Sequence, residues 1–416
     1  MSKDTLQRRP SNKKLLALGL LLLVQLTASV VSFLNAKNNS VPLKKRIVPP
    51  ISNTMMLGFD AQHTNFNPAE HTINLKNVSH LVPYWIVSIP PHRFSNIYPP
   101  AVVNGVVYFT SGDSTVSAYD AKTGHELWIS RIGGSGYALA VANGRVYVSS
   151  DDEHLYVFNA GTGTLLWRVA DVSGVPVVAN SIIYIFASSG ELYGLDTKSG
   201  AKLWITTIGT SPQSDAVAVA DGIVYDSIDT ALRAFDASTG NALWSSIIEG
   251  AGFLSIPAVA NGIVYVGSDF PDGKLYAFDA KTGRTLWTYR TVNDRYSVVN
   301  VGAVAGGVVY VTAGVQTVYL YALDMKTGAS LWTFRSPPDT ITSVPFVANG
   351  VLYIDIGGIY AYNAKTGSPL WSYSGIPGDS YVSDPLVVDG VVYIGSYVPR
   401  SSYQNKLYTL HLPSAT

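Results

Sequence analysis

Five side chains that could bind a ligand occupy comparable places in a repeating sequence. Each stands close before an apolar stretch that reads as the first strand of a repeat. Two are carboxylates, two are phenols and one is an amide. Such a set could hold a cation or a polar ligand, with the tyrosine rings supplying apolar contacts. The alternative is that they surround a water-filled funnel. These candidate ligand-binding residues are Tyr98, Tyr137, Asp215, Asn300 and Asp384.

Other residues able to carry chemistry favour structural roles. The chain has no cysteine, which excludes disulfides, iron–sulfur clusters and thiolate zinc sites. Its seven histidines include no pair at the helical spacing of metal ligands. The acidic run 151–153 could bind calcium, but it is more typical of a solvated loop. No nucleophile elbow or phosphate-binding loop occurs, so the sequence predicts no catalytic residue and no metal site.

Tryptophan marks a repeat that fills most of the chain. The phrase Asp-x-x-Thr-Gly followed by Trp recurs with small changes, and successive tryptophans are 37 to 45 residues apart. Because the phrase recurs at nearly every repeat, we interpret its Asp as a turn cap and its indole as packing between neighbouring sheets. The predicted docking tryptophans are Trp85, Trp128, Trp167, Trp204, Trp244, Trp287, Trp332 and Trp371.

A second recurring phrase predicts hairpins. Asn-Gly or Asp-Gly, as at 104–105 and 389–390, stands between two apolar runs, and a tyrosine follows three residues later. Two-residue hairpin turns require positive φ, which these residues tolerate best. Each repeat therefore contains four short strands. Strand A ends at the turn, B carries the Tyr, C ends at the Asp and D carries the Trp.

These repeats predict an all-β protein, an eight-bladed β-propeller with four-stranded antiparallel blades. Seven blades have strands A to D in chain order. In the eighth, strands A, B and C lie within 384–411 and strand D within 81–89. This N-to-C strand clasp would close the ring without a disulfide. Strand A starts at the rim of the central channel, so the five candidate residues would point toward one mouth.

The N-terminal residues predict a membrane anchor. Residues 15–34 form an uncharged, mostly apolar run, long enough to span the hydrocarbon core as a helix. Basic residues before the run place the N-terminus in the cytoplasm. A cleaved signal peptide is the alternative, but the run is longer than its usual apolar region. The expected organisation is a basic cytoplasmic tail at 1–14, a transmembrane signal anchor at 15–34, a linker at 35–55, the propeller at 56–412 and a short tail at 413–416.

Charge limits the partners. From residue 47 onward the chain has 19 basic and 27 acidic side chains, a net charge of −8, which would repel phosphate backbones. We therefore expect no nucleic-acid partner.

The expected location and partners follow from the predicted anchor. We expect a monomer in the cell membrane, held by a single helix with the propeller outside the cytoplasm, and a protein or cell-envelope partner.

The repeat resembles a known family. The phrase from Ala277 to Trp287 is similar to the tryptophan-docking motif of pyrroloquinoline quinone (PQQ) propellers, and the stretch from Gly58 to Glu70 resembles the lead-in of many such repeats. The resemblance covers about residues 56–412 and implies the fold. In overall organisation the chain most resembles the non-catalytic outer-membrane assembly lipoprotein of the BamB type, which has eight blades and no cofactor.

Two functions follow from that resemblance. The first is a non-catalytic binding or assembly scaffold with no cofactor. The alternative is a PQQ-dependent alcohol or sugar dehydrogenase, which would need PQQ and calcium. Quinoprotein alcohol dehydrogenases carry two adjacent cysteines over the quinone, which this chain lacks. A further binding role, for example toward cell-wall glycan, is suggested by the abundant aromatic residues.

Overall fold

A computed structural model describes residues 54–89, 98–209, 216–291, 298–315, 317–337, 343–375, 381–397 and 405–413. The predicted cytoplasmic tail, the predicted anchor and all of the linker up to residue 53 lie outside these ranges, as does Asp215. Within them, no helix is long and apolar enough to cross a membrane. Thr54 and Met55, which the sequence assigned to the linker, already form a strand of the propeller.

The described residues are almost entirely β. Before the first complete blade lie β1 (Thr54–Met55), β2 (Phe66–Asn67), a short 3-10 helix (Val78–His80) and β3 (Val82–Ile89). Blades 1 to 4 then follow in the order β4 (Ala101–Val103), β5 (Val106–Ser111), β6 (Thr115–Asp120), β7 (Glu126–Arg131), β8 (Gly136–Ala142), β9 (Arg145–Ser150), β10 (His154–Asn159), β11 (Leu165–Ala170), β12 (Ser173–Ala179), β13 (Ile182–Phe186), β14 (Glu191–Asp196), β15 (Lys202–Thr207), β16 (Ala218–Ala220), β17 (Ile223–Ile228), β18 (Ala231–Asp236) and β19 (Ala242–Ile247).

Blades 5 to 8 complete the ring. Their strands are β20 (Ala258–Ala260), β21 (Ile263–Ser268), β22 (Lys274–Asp279), β23 (Thr285–Arg290), β24 (Val299–Ala305), β25 (Val308–Ala313), β26 (Tyr319–Asp324), β27 (Ser330–Arg335), β28 (Phe346–Ala348), β29 (Val351–Asp355), β30 (Ile359–Asn363), β31 (Pro369–Tyr373), β32 (Tyr381–Val382), β33 (Leu386–Val388), β34 (Val391–Tyr397) and β35 (Asn405–His411). Four consecutive strands form an antiparallel sheet in blades 1 to 7, which confirms the predicted blade.

Blade 8 confirms the predicted clasp. Strand β3 pairs antiparallel with β35 from Val82 opposite His411 to Ile89 opposite Asn405, with an irregularity between Pro83 and Ile86. Strand β35 pairs in turn with β34, and both β32 and β33 pair with β34. The two ends of the propeller sequence therefore share one sheet. The prediction of eight four-stranded blades with an N-to-C closure is confirmed.

The turns form as their residues predict. Asn104 and Gly105 have φ values of 52° and 73°, as a two-residue hairpin turn requires. In the C–D turn of blade 4, the Asp236 carboxylate accepts the backbone N–H groups of Ser238 and Thr239 at 3.0 and 2.9 Å. These bonds define the recurring Asp as a turn cap.

Neighbouring blades meet through the repeated Trp and Tyr. At the seam between blades 4 and 5, Trp244 Nε1 and Tyr225 Oη both donate to the carbonyl of Ala280, each at 3.1 Å. A Cβ at Gly283 would lie 2.5 Å from the indole, so only glycine admits this close approach. The same indole bond is made by Trp85, Trp128, Trp204, Trp287 and Trp332.

Two of the predicted docking tryptophans differ from that pattern. The ring of Trp167 lies against Gly200, but its buried Nε1 has no hydrogen-bond partner within the described residues. Trp371 faces blade 8, where strands C and D come from opposite ends of the propeller sequence and no C–D turn exists. Its strand β31 lies against the 3-10 helix instead, and Trp371 packs on the cluster that contains Val78 and Leu81. The sequence did not predict this substitute.

A single-copy segment closes one end of the central channel. Residues 56–67 pass along the ends of the innermost strands, on the side of the A–B hairpins. Their carbonyls accept innermost-strand N–H groups, from Val219 to Ala61, Val259 to Gln62, Val304 to Thr64 and Val347 to Asn65. Strand β2 adds a parallel pairing to β28. We call residues 56–67 the plug, because they occupy the axis of the propeller.

Candidate functional site

The plug and the innermost strands line a partly open cavity of about 120 Å³ at the propeller axis. The plug faces it with Leu57, Gly58, His63 and Asn65, whereas Asp60 and Gln62 border a separate groove on the outer side. Blades 5 to 8 supply the remaining wall, which consists of Ser255, Ile256, Ala258, Asn300, Val301, Val344 and Asp384. The cavity therefore lies between the plug and one half of the ring, blades 5 to 8.

The structure brings some of the predicted mouth residues together. Asn300 and Asp384 line the cavity, as the sequence predicted for residues at the start of strand A. Tyr98 and Tyr137 contact each other edge to face, with ring centroids 6.2 Å apart. Tyr98 also packs in a small apolar cluster with Leu57, next to the cavity. Asp215 lies outside the described residues, and ligand binding by the set stays a prediction.

Three serines at the mouth serve the fold. The hydroxyl oxygens of Ser255, Ser343 and Ser383 accept the backbone N–H of a strand-B residue in their own blades, at 2.9 to 3.0 Å. Each bond fixes the start of strand A against strand B. These hydroxyl oxygens therefore already accept backbone hydrogen bonds. Fewer polar side chains are available to a ligand than the number of polar residues at the mouth indicates.

His63 is the functional candidate that the sequence did not single out. The residue is 5% exposed and has a positive φ of 56°, and its Nε2 has no hydrogen-bond partner within the described residues. Burial lowers its pKa to about 4, so the imidazole is neutral at pH 7. Its only sequence signal is its position in the lead-in stretch 58–70, which does not repeat.

Asp384 supplies negative charge to the cavity. Its Oδ1 accepts the N–H of Val344 at 2.7 Å. Burial, aided by the nearby charge of Asp355, raises the pKa of Asp384 to about 6, although the hydrogen bond from Val344 lowers it. Burial also raises the pKa of Asp355 to about 6, although that carboxylate accepts the N–H of Gly358 at 2.8 Å. Both groups are mainly ionised at pH 7.

The acidic loop 151–153 is occupied by its own hydrogen bonds. Asp151 accepts the N–H of Ser135 at 2.7 Å, and Tyr156 donates its hydroxyl to Asp152. Tyr156 also accepts the N–H of Gly133. The carboxylates therefore order two neighbouring loops, which favours the structural interpretation over the calcium site. Within the described ranges, no three His, Asp or Glu side chains are grouped as metal ligands.

The axial cavity does not fit PQQ with calcium. Sites for small organic molecules have volumes of about 300–1,000 Å³, whereas this cavity has about 120 Å³. A planar three-ring quinone would have to displace the plug. No catalytic step through the quinone follows from this cavity.

Comparison with solved structures finds the same fold in proteins of different function. A quinohemoprotein alcohol dehydrogenase from Pseudomonas putida HK5 superposes with a TM-score of 0.68 at 16% identity, covering 87% of this chain and 80% of that one. BamB from Moraxella catarrhalis superposes with a TM-score of 0.62 at 16% identity, covering 80% of this chain and 99% of that one. A europium-containing methanol dehydrogenase gives 0.64 at 15% identity, over 86% and 98%. At such identities the likeness shows the fold alone.

Sequence comparison identifies the family. No curated protein matches the chain. The sequence model described as "Outer membrane protein assembly factor BamB" matches residues 83–227 and 228–400, about three quarters of the chain. The match spans all the repeats from strand β3 to strand β34. The chain therefore belongs to the BamB-type family of PQQ-like β-propellers.

Proposed function

We propose that this protein is a non-catalytic binding or assembly scaffold of the cell envelope. The observation that carries the proposal is the plug, which occupies the propeller axis and leaves a cavity smaller than an ordinary cofactor site. The family match supports the same function. A scaffold needs a stable ring and accessible binding surfaces, and it needs no cofactor.

We further propose that an anchor holds the scaffold at the membrane. The uncharged run 15–34, preceded by basic residues, supports a single spanning helix with the propeller outside the cytoplasm. Alkaline carbonate extraction of membranes tests this placement, since a spanning helix resists extraction. Release of the protein, or a mature N-terminus between residues 28 and 40, would instead indicate a cleaved signal peptide.

The end of the propeller at which each strand A starts, which we call the mouth face, offers a surface for a protein partner. Phe253 and Phe270 are 59% and 47% exposed, and they lie on adjacent loops joined by the bond from Asp269 N to Phe253 O. Exposed aromatic side chains are typical anchors of protein interfaces. We therefore propose that an envelope protein contacts the mouth face beside blade 5.

Site-specific photo-crosslinking in cells tests the scaffold. A photoreactive amino acid would replace Phe253 or Phe270 in the full-length chain. Matched controls would carry it at Thr239, in the C–D turn on the opposite face, and at Ile247, which is 74% exposed on the outer strand of blade 4. Crosslinked products would be resolved by electrophoresis and identified by mass spectrometry.

The proposal predicts one discrete crosslinked envelope protein from Phe253 and Phe270 and none from Thr239. A product from Ile247 alone would show that the partner binds at the outer edge of a blade, and it would overturn the proposal that the partner contacts the mouth face. Absence of a discrete product from all four positions, with protein levels equal to wild type, would contradict the scaffold itself.

A further inference from the structure

The axial cavity contains polar side chains that the repeat does not explain. His63 comes from the single-copy plug, Asn300 from strand β24 and Asp384 from the residues before strand β33. None of them occupies a C–D turn or a seam between blades. Polar groups inside a protein are normally hydrogen-bonded, and the Nε2 of His63 has no partner within the described residues, so it is available to a ligand in the cavity.

All three side chains can accept hydrogen bonds. One oxygen of Asp384 takes the Val344 N–H, and a carboxylate has a second oxygen for further donors. The Oδ1 of Asn300 is an acceptor, and neutral His63 accepts at Nε2 when Nδ1 carries its proton. The cavity wall contains no lysine or arginine among the described residues. The complementary ligand is therefore a cation with several N–H donors.

Two further polar side chains of the wall bond to the backbone, because Asn65 donates to the carbonyl of Gly302 and Ser255 accepts the N–H of Gly267. The remaining side chains of the wall are apolar. Leu57, Ile256, Val301 and Val344 line the same space. The volume of about 120 Å³ has room for several water molecules or for one short chain of a few heavy atoms. Apolar walls beside a polar end fit an amphipathic group whose methylene stem is buried while its charged head is hydrogen-bonded.

We propose that this cavity binds a primary alkylammonium group, whose three N–H donors face His63, Asn300 and Asp384 and whose methylene stem packs on the apolar wall. The group could belong to a free alkylamine or to a lysine side chain of a partner protein, because both present the same chemistry. The lysine case deepens the proposed scaffold function and rests on it; the free-amine case does not.

Isothermal titration calorimetry of the full-length chain in detergent tests this site. The probe is n-butylammonium chloride, and n-butanol at equal concentration is the uncharged control of the same shape. A pentapeptide with a central lysine forms the second arm, and the same peptide with acetylated lysine is its control. The arms separate a free amine from a partner's side chain.

Variants link the binding to the named side chains. Asp384→Asn removes the charge, and His63→Asn removes Nε2 while keeping a residue that tolerates positive φ. Asp389→Asn is the matched control, since it lies at an A–B turn outside the cavity and creates the Asn-Gly pair found in other blades. Melting curves of all three would establish that each variant is folded.

We expect saturable binding of n-butylammonium and none of n-butanol. Asp384→Asn should weaken the binding at least tenfold, because a hydrogen bond to a charged group is lost, and Asp389→Asn should leave it unchanged. Equal binding of n-butanol, or an Asp384→Asn variant that binds like wild type, would overturn the proposal. Absence of binding to either amine, with crosslinking at Phe253 intact, would refute the amine site and leave the scaffold standing.

Discussion

The ring of seams and the propeller axis are built from different kinds of sequence. At a seam such as the one between blades 4 and 5, each residue has counterparts in other blades, and its role follows from recurrence. On the axis, the plug and the stretch that follows it occur once. His63 and Glu70 belong to this single-copy part, and neither has an equivalent in the blades. The stability of the ring is therefore distributed over all the repeats, whereas closure of the channel and ligand binding in the cavity depend on residues that occur once.

The clasp, in which β3 pairs with β35, joins the single-copy part of the chain to the repeats. Breaking it should have the largest effect on stability. Removal of residues 406–416 deletes nearly all of β35, so that β3 loses its partner and β34 becomes an unpaired edge. We expect aggregation or loss of a cooperative unfolding transition in circular dichroism. Removal of only 414–416 is the control and should leave the transition unchanged. A normal melting curve for the longer truncation would contradict the clasp.

Within the ring, the seam bond can be separated from seam packing. Trp244→Ala should cost about 3 kcal/mol in the free energy of unfolding, near the lower end of the range for large aromatic truncations, because the indole is only partly buried. Trp244→Phe should cost about 1 kcal/mol more than Trp167→Phe, since Trp244 Nε1 has an acceptor whereas Trp167 Nε1 has none among the described residues. Urea unfolding measures both differences. Equal costs for the two Phe variants would show that the indole bond adds nothing.

In the single-copy part, Glu70 should matter more for stability than the carboxylates that cap the C–D turns of the ring. Glu70 is 3% exposed and accepts the N–H groups of Thr72, Ile73 and Gly390, which joins the single-copy stretch to blade 8. Glu70→Gln points an N–H₂ group at backbone donors and should cost about 2 kcal/mol.

The ring control for Glu70 is Asp236→Asn. Asn159 already caps the equivalent turn of blade 2 through its side-chain oxygen, so the variant should unfold close to wild type. Urea denaturation compares the two variants. A larger loss for Asp236→Asn than for Glu70→Gln would reverse the contrast between ring and axis.

The smallest expected effect is on the pH dependence of stability. Burial raises the pKa of Asp60, Asp226, Asp355 and Asp384 from 3.8 to about 6. The folded state therefore holds more protons than the unfolded chain between pH 3.8 and 6, and these groups make stability fall as pH rises through that window. His63, whose pKa is lowered to about 4, acts oppositely between pH 4 and 6.5.

Asp384→Asn removes one of the four carboxylate contributions. The difference in unfolding free energy between pH 4.5 and pH 7 should therefore shift toward greater stability at pH 7, by at most about 2 kcal/mol. Urea unfolding at the two pH values measures this shift. An unchanged difference would mean that Asp384 titrates as an exposed carboxyl and is not buried in the cavity wall.

Recurrence explains which parts of the structure the sequence could predict. Eight tryptophans, the paired turns and the alternating strands determine the blades and the clasp, because each signal is repeated or lies at a chain end. The candidate site was predicted in part. Asn300 and Asp384 reach the cavity because strand A always starts at the mouth, but the hydrogen bonds of Ser255 and its counterparts depend on pairing within the folded blade.

The plug could not be predicted in the same way. Its contacts join residues about 160 to 280 positions apart in the chain, and no repeat indicates them. The same reason applies to His63, whose side chain becomes a candidate only when the plug turns it into the cavity. The 3-10 helix beside Trp371 is likewise a local solution to the missing turn in blade 8.

Reconstitution with PQQ and calcium tests whether the propeller is a non-catalytic scaffold. The purified full-length chain would be mixed with both, and quinone absorbance and dye reduction with alcohols and sugars would be followed. A known quinoprotein dehydrogenase treated in parallel serves as the positive control. Because the plug leaves only a small cavity at the axis, we expect neither a change in quinone absorbance nor substrate-dependent dye reduction. Stoichiometric quinone binding with substrate-dependent reduction would contradict the non-catalytic scaffold.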